Sequence, residues 1–329
     1  MLCERMRKLP LISSRHNADH SKEWSASFYL AKTIQEGKTI VFSHVRRPLR
    51  NNCKTHWMIP IFLVFLLLLP RPAYASAPNE SHDNMVLIPG GEYEMGSKKS
   101  LMEVQMDPMD ILNPDRHMLG PEDPAHIVDI DPFYIDIYEI SNADYKKYME
   151  ATGYEKPEFW DNPEFNDPRQ PVVGVNWRDA VNYCVWKNKR LPTEAEWEKA
   201  SRGKRPVTYP WGDDPPSGKT ANFNEEHKKS LPIGSFEAGK SDYGVYNLSG
   251  NVAEWVNDYH YALYYLFSSK KNPKGAKSGP YKVVRGGHWK SNAEDIRLTY
   301  RNASAPSVKK ETLGFRCAGD VKTNSEQQK

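Results

Sequence analysis

Few side chains in this sequence are equipped for covalent or metal chemistry, and they lie far apart. Beyond residue 77 the only cysteines are Cys184 and Cys317. In an oxidising compartment such a pair reads as one disulfide, and closing so long a loop removes roughly 4–5 kcal/mol of unfolded-chain entropy. Two buried free thiols are the alternative. Bridged, the pair leaves no thiol for a nucleophile or a zinc site. His288, beside Trp289, is a candidate metal ligand or general acid–base. A loop histidine held by hydrogen bonds is the plainer reading, and Asp258 and His260 are the groups that could approach it. The run NDYHYALYYLF at 257–267 is dense in aromatic rings. Tyr259, His260 and Tyr261, with Trp289, could line a peptide- or sugar-binding groove, because aromatic plates stack on flat apolar faces. Core packing accounts for them equally well. Arg285, Arg297, Arg301 and Arg316 read as structural partners of carboxylates or carbonyls, with a substrate carboxylate as the sharper alternative.

The elements that must hold these groups are short. MVLIPGGEYEMGS at 85–97 alternates around Gly90-Gly91 and reads as a hairpin or a pair of short strands. Residues 100–124, rich in Asp, Pro and Met, read as a surface loop. HIVDIDPFYIDIYEI at 126–140 alternates strongly and is broken at Pro132. Ser141 caps a helix that ends at Gly153, and Asn176 caps a second through about Lys187. Thr193 and Glu196 form the capping box of a third, which ends near Gly203. Beyond it only one helical turn is expected, near 262–267. With so little regular structure, seven tryptophans between Trp160 and Trp289 must fill the core between loops, and a disulfide or a bound cation would pin them.

The chain has 329 residues, 39% of them apolar and 26% charged, a composition too apolar for a disordered chain and too polar for a multi-span membrane protein. The net charge of +3 is unevenly spread: residues 1–77 are strongly basic and the remainder is mildly acidic. The body therefore lacks a nucleic-acid footprint. Within 46–77, Arg46, Arg47, Arg50 and Lys54 precede the uncharged run Ile59–Leu69, and Ala73-Tyr74-Ala75 and Ala75-Ser76-Ala77 follow it. The apolar run is too short to span a bilayer, and the order matches a secretory signal peptide. The expectation is thus a preface at 1–77 with its signal at 46–77, then a short linker at 78–84. One domain at 85–320 and a disordered tail at 321–329 complete it. After cleavage no stable membrane span remains, and the product is exported, periplasmic or secreted.

Six segments in order resemble the sulfatase-modifying-factor family, which includes the formylglycine-generating enzyme. They are MVLIPGGEYEMGS, PAHIVDIDPFYIDIYEISNADY, PVVGVNWRDAVNYCVWKNKRLPTEAEWEKASRG, YPWGDD, YNLSGNVAEWVND, and VVRGGHW through LGFRCA. The resemblance implies one compact α+β domain, a variant of the C-type lectin fold with little regular secondary structure, and it pairs Cys184 with Cys317. It also implies a calcium ion on the side chains of Asn247 and Glu254 and the carbonyls of Gly250 and Val252, hard oxygens of the kind calcium takes. Asn222-Phe223 matches half of a second calcium position. The family's oxidation of a client cysteine uses two copper(I)-binding cysteines, whose positions fall near Ser291 and Ile296. Neither can act as a soft ligand, so copper is not expected. The resulting expectation is a binding or accessory factor for a peptide, glycan or partner enzyme. The alternative is an oxidoreductase that uses His288 and a recruited metal.

Overall fold

The structure is a computed structural model, and it describes residues 84–97, 122–203 and 205–321, all within the unit spanning Pro70–Lys329. The expected signal at 46–77, Cys3 and Cys53, residues 78–83 of the linker, most of the loop at 100–124 and residues 322–329 of the tail lie outside the described residues.

Strands β1 (Met85–Ile88) and β2 (Gly91–Met95) do not pair with each other. β1 runs antiparallel to β4 (Phe133–Asp136), and β2 to β3 (His126–Ile130). Met85 faces Asp136, Ile88 faces Phe133, Gly91 faces Ile130 and Met95 faces His126, so one register runs through both ladders. The two pairs are one long ribbon, bent where Pro89-Gly90 crosses Asp131-Pro132. A Cβ on Gly90 would stand 2.9 Å from the Pro132 ring. Proline cannot donate to the ladder, which is why the ribbon breaks there. Of the two sequence readings for 85–97, the pair of short strands is the one observed.

Helix α1 (Asn142–Thr152) is capped by Ser141 and ends at Gly153, whose φ of 70° suits a glycine. α2 (Trp177–Trp186) and α3 (Glu194–Arg202) each open with a capping box, Asn176 with Asp179 and Thr193 with Glu196. All three follow the sequence boundaries within a residue or so. A four-stranded sheet then closes the body in the order β7 (Asn302–Ser304), β6 (Lys282–Arg285), β5 (Ala253–Tyr259), β8 (Leu313–Phe315). β5 and β8 are parallel, the other pairs antiparallel. β9 (Ala318–Asp320) returns to pair with β4. Besides the expected turn, Tyr264–Leu266, short 3-10 turns form at Glu237–Gly239 and Glu294–Ile296.

Two hydrophobic clusters flank the large sheet. One joins the bent ribbon to α3 through Ile88, Phe133, Ile135 and Trp197. The other packs Tyr145, Tyr183, Trp255 and Phe315 around the Cys184–Cys317 disulfide, whose Cα atoms are 5.7 Å apart. The aromatic plates do fill the space between loops.

Candidate functional site

Glu139 follows β4 on the phase of Phe133 and Ile135, so its carboxylate points inward and is 2% exposed. A buried carboxylate must find donors. Asn247 Nδ2 donates to Glu139 Oε2 at 2.7 Å, and Asn251 Nδ2 donates to Oε1 at 2.9 Å. Asn251 Oδ1 in turn accepts from Leu231 N at 2.8 Å and from Asn222 Nδ2 at 3.2 Å. Asn222 Nδ2 also donates to the carbonyl of Lys229. The relay leaves Asn247 Oδ1 and Asn222 Oδ1 buried with no hydrogen-bond partner. Asn247 and Asn251 hold positive φ angles of 56° and 60°, and Gly250 between them holds 80°. A Cβ on Gly250 would fall 2.3 Å from the Asn222 carbonyl oxygen. Burial pushes the Glu139 carboxyl up to about 7, with Arg316 opposing and Glu254 adding.

Glu254, on β5, is held by a bidentate ion pair. Arg316 Nε donates to Oε2 at 2.7 Å and Nη2 donates to Oε1 at 2.6 Å. Trp197 Nε1 adds a third bond to Oε2 at 2.8 Å. One lone-pair position on Oε1 stays open. Asn247 and Glu254 thus belong to a buried network of side chains.

The donor set fits a hard cation at Asn247. Its amide oxygen is orphaned and buried, and the Gly250 and Val252 carbonyls and the open position on Glu254 are oxygens of the same kind. Arg316 already neutralises Glu254, so such a site rests mainly on neutral oxygens. At the second position Asn222 supplies the other orphaned oxygen, whereas the Phe223 carbonyl accepts from Glu226 N at 3.2 Å.

The positions equivalent to copper ligands do not fit a soft ion. Ser291 is 7% exposed, and its Oγ accepts from His288 N at 3.2 Å. Ile296 is wholly buried beside Tyr209 and Ala221. His288 itself is half-buried, and its Nδ1 accepts from Lys290 N at 3.2 Å. Burial lowers its pKa, and Lys310 and Lys290 lower it further. The structure does not bring His260 or Asp258 to it. His260 feels Arg301 and Glu194 instead, and burial also lowers its pKa. Asp258 accepts from Glu194 N at the start of α3, and burial with Glu194 beside it pushes its carboxyl up to about 8.

The four residues proposed for a groove separate. Trp289 is 5% exposed and packs with Phe165 and Val173, a core position. Tyr259 is half-buried, its ring 3.4 Å from Lys282 Nζ, while Tyr261 is exposed and touches Phe267. Lys282 lies between the Tyr259 and Trp177 rings, and burial brings its pKa down to about 8. The four arginines take structural roles: Arg285 pairs with Glu194 and Glu198, Arg301 with Glu194, Arg297 with Glu122, and Arg316 with Glu254. Sequence reasoning missed Glu139. Its one signal was an acidic residue on the apolar phase of an alternating strand.

A bent ribbon, three capped helices and a mixed sheet around an asparagine-rich turn define an α+β fold of the formylglycine-generating-enzyme type. The chain belongs to the family with a sulfatase-modifying factor enzyme 1-like domain, which matches residues 71–321. It is similar to the serine/threonine-protein kinase pkn1 of Chlamydia caviae, 33% identical over 74% of this chain and 39% of that protein. It thus spans about two fifths of that relative's length. It is also similar to the formylglycine-generating enzyme of Mus musculus, 31% identical over 76% of this chain and 78% of the enzyme. Among solved structures, PvdO from Pseudomonas aeruginosa superposes with a TM-score of 0.59 at 27% identity, covering 72% of this chain and 94% of PvdO.

Proposed function

We propose that this domain serves as an exported binding or accessory factor for a peptide, glycan or partner enzyme, with a structural calcium ion on the 247–254 turn. The observation that carries the reading is the pair Ser291 and Ile296. A hydroxyl already engaged by His288 N and a wholly buried aliphatic side chain supply nothing that grips cuprous ion. Export is supported by the basic, apolar and Ala-x-Ala order of 46–77. Among the described residues no helix is long and apolar enough to cross a membrane. The test is incubation with a Cys-x-Pro-x-Arg peptide, oxygen and copper(I). No aldehyde is expected, and aldehyde formation overturns the reading.

Similarity to the mouse formylglycine-generating enzyme favours a second reading, an oxidoreductase that recruits a metal through His288. Stoichiometric iron or copper in the purified protein, lost in His288→Ala, would establish it; calcium alone supports the first reading.

A further inference from the structure

Glu139 stands at the head of the asparagine relay, and its chemistry dictates which way every amide in it points. A carboxylate only accepts hydrogen bonds, whereas a carboxamide has a donor end and an acceptor end. With Glu139 at its centre, Asn247 and Asn251 must both turn their Nδ2 groups inward. Asn251 then shows its oxygen to Asn222, which must answer with Nδ2. The consequence falls at the two outer ends, where Asn247 Oδ1 and Asn222 Oδ1 are left without donors at positions 4% and 0% exposed. An unpaired buried acceptor is costly, by roughly the desolvation of the group, unless something positive meets it.

We infer that Glu139 is a positioning residue that orients the carboxamides of Asn247 and Asn222 so that their oxygens face cations. The inference rests on the calcium reading above and adds the group that sets the site's polarity. Glu139 is not one of the four groups named for the cation; each of its oxygens accepts from one of the two amide nitrogens, and it acts through them. A glutamine at 139 keeps the shape but brings an N–H, so the relay can invert and present donors where oxygens are needed. An aspartate keeps the charge, but its shorter side chain cannot reach both amides.

The test uses the purified protein, stripped with a chelator, and measures calcium affinity by titration calorimetry for the wild type, Glu139→Gln and Glu139→Asp. Circular dichroism and the Cys184–Cys317 bridge report folding. Both variants are expected to bind calcium about tenfold more weakly or worse, the usual effect of removing a group that orients a ligand. Wild-type affinity in Glu139→Gln overturns the inference. So does wild-type affinity in Glu139→Asp alone, which assigns the effect to charge. A wild type that binds no calcium overturns the calcium reading and the inference with it, and is recognised without any variant. If neither variant folds, NMR of the wild type decides. Calcium must shift the Asn247 13Cγ resonance while its Nδ2 protons stay protected, and an unmoved 13Cγ overturns the inference.

Discussion

Replacing Arg316 by methionine should unsettle this fold more than most single changes, and the size follows from its contacts. Arg316 is wholly buried, and all five of its N–H groups are used. Two go to Glu254, two to the carbonyls of Asp136 and Ile137, and one to Tyr246 O. Methionine fills much of the volume but leaves Glu254 charged, 1% exposed and held only by Trp197 Nε1. Removing one partner of a buried pair costs about 3–5 kcal/mol, because the remaining charge has lost both water and counter-charge. In a domain of this size each kcal/mol moves Tm by about 2–4 °C, so Arg316→Met should melt roughly 10 °C lower. Adding Glu254→Gln should recover about 1–3 kcal/mol, since the neutral amide still accepts from Trp197 without a stranded charge. Urea unfolding in chelator, followed by tryptophan fluorescence, measures both variants. Calcium should then stabilise Arg316→Met more than the wild type, because the freed carboxylate can serve the cation. A loss below about 1 kcal/mol, or a double variant as unstable as the two single losses summed, would refute the assignment of Glu254 and Arg316 as a coupled pair.

Other perturbations have equally definite directions. Burial raises Asp258 from its ordinary range to about 8, so the folded state binds more protons than the unfolded chain between those values. Its contribution to stability is present at low pH and lost as pH rises through about 8. Relative to wild type, Asp258→Asn should therefore gain Tm between pH 5 and 9. Lys282 is lowered to about 8, and its sign is opposite, so Lys282→Met should lose its relative advantage as pH climbs from 8 towards the ordinary lysine range. Replacing Cys184 and Cys317 together by alanine should cost about 4–5 kcal/mol in urea unfolding, for a sequence separation of 133 residues. Gly250→Ala should lower the urea midpoint by the equivalent of about 2 kcal/mol or more. Its φ of 80° disfavours a side chain, and the new Cβ would collide with the Asn222 carbonyl.

Much of the scaffold is legible in the sequence, and the parts that are not share a physical cause. Helix boundaries were legible because Ser141, Asn176 and Thr193 satisfy backbone donors locally, and Gly153 and Gly203 end their helices locally. The disulfide was legible because Cys184 and Cys317 are the two cysteines beyond residue 77. The bent ribbon was not. Whether 85–95 folds on itself or on 126–136 is a long-range choice that alternation cannot make. Two of the 3-10 turns escaped because they carry no period. At the site, Asn247 and Glu254 were found through resemblance, but their partners Glu139 and Arg316 lie more than 60 positions away in sequence. A side chain's direction depends on those partners, which is why the motif alone does not show that Asn251 bridges Glu139 and Asn222.

The buried charges explain how a body with so little ladder keeps one shape. Every residue of α3 is buried, including Glu194, Glu198, Lys199 and Arg202. None can be left unpaired in a low-dielectric interior. Glu194 takes Arg301 and Arg285, Glu198 takes Arg285 and Arg202, and Glu254 takes Arg316. The pairs of Glu194 and Glu198 with Arg285 and Arg301 tie α3 to β6 and to the residue before β7, and Glu254–Arg316 ties β5 to the residue after β8, elements otherwise only three to nine residues long. Apolar contacts tolerate sliding, whereas a bidentate guanidinium–carboxylate pair has one geometry, so Glu194–Arg301 and Glu254–Arg316 each fix a register that a short strand cannot. Ser291 and Ile296 stand outside this network, in a loop and a small cluster of their own. Residues there can change type without leaving a charge unpaired. The framework of arginines and carboxylates therefore places few demands on the chemistry carried at 291 and 296.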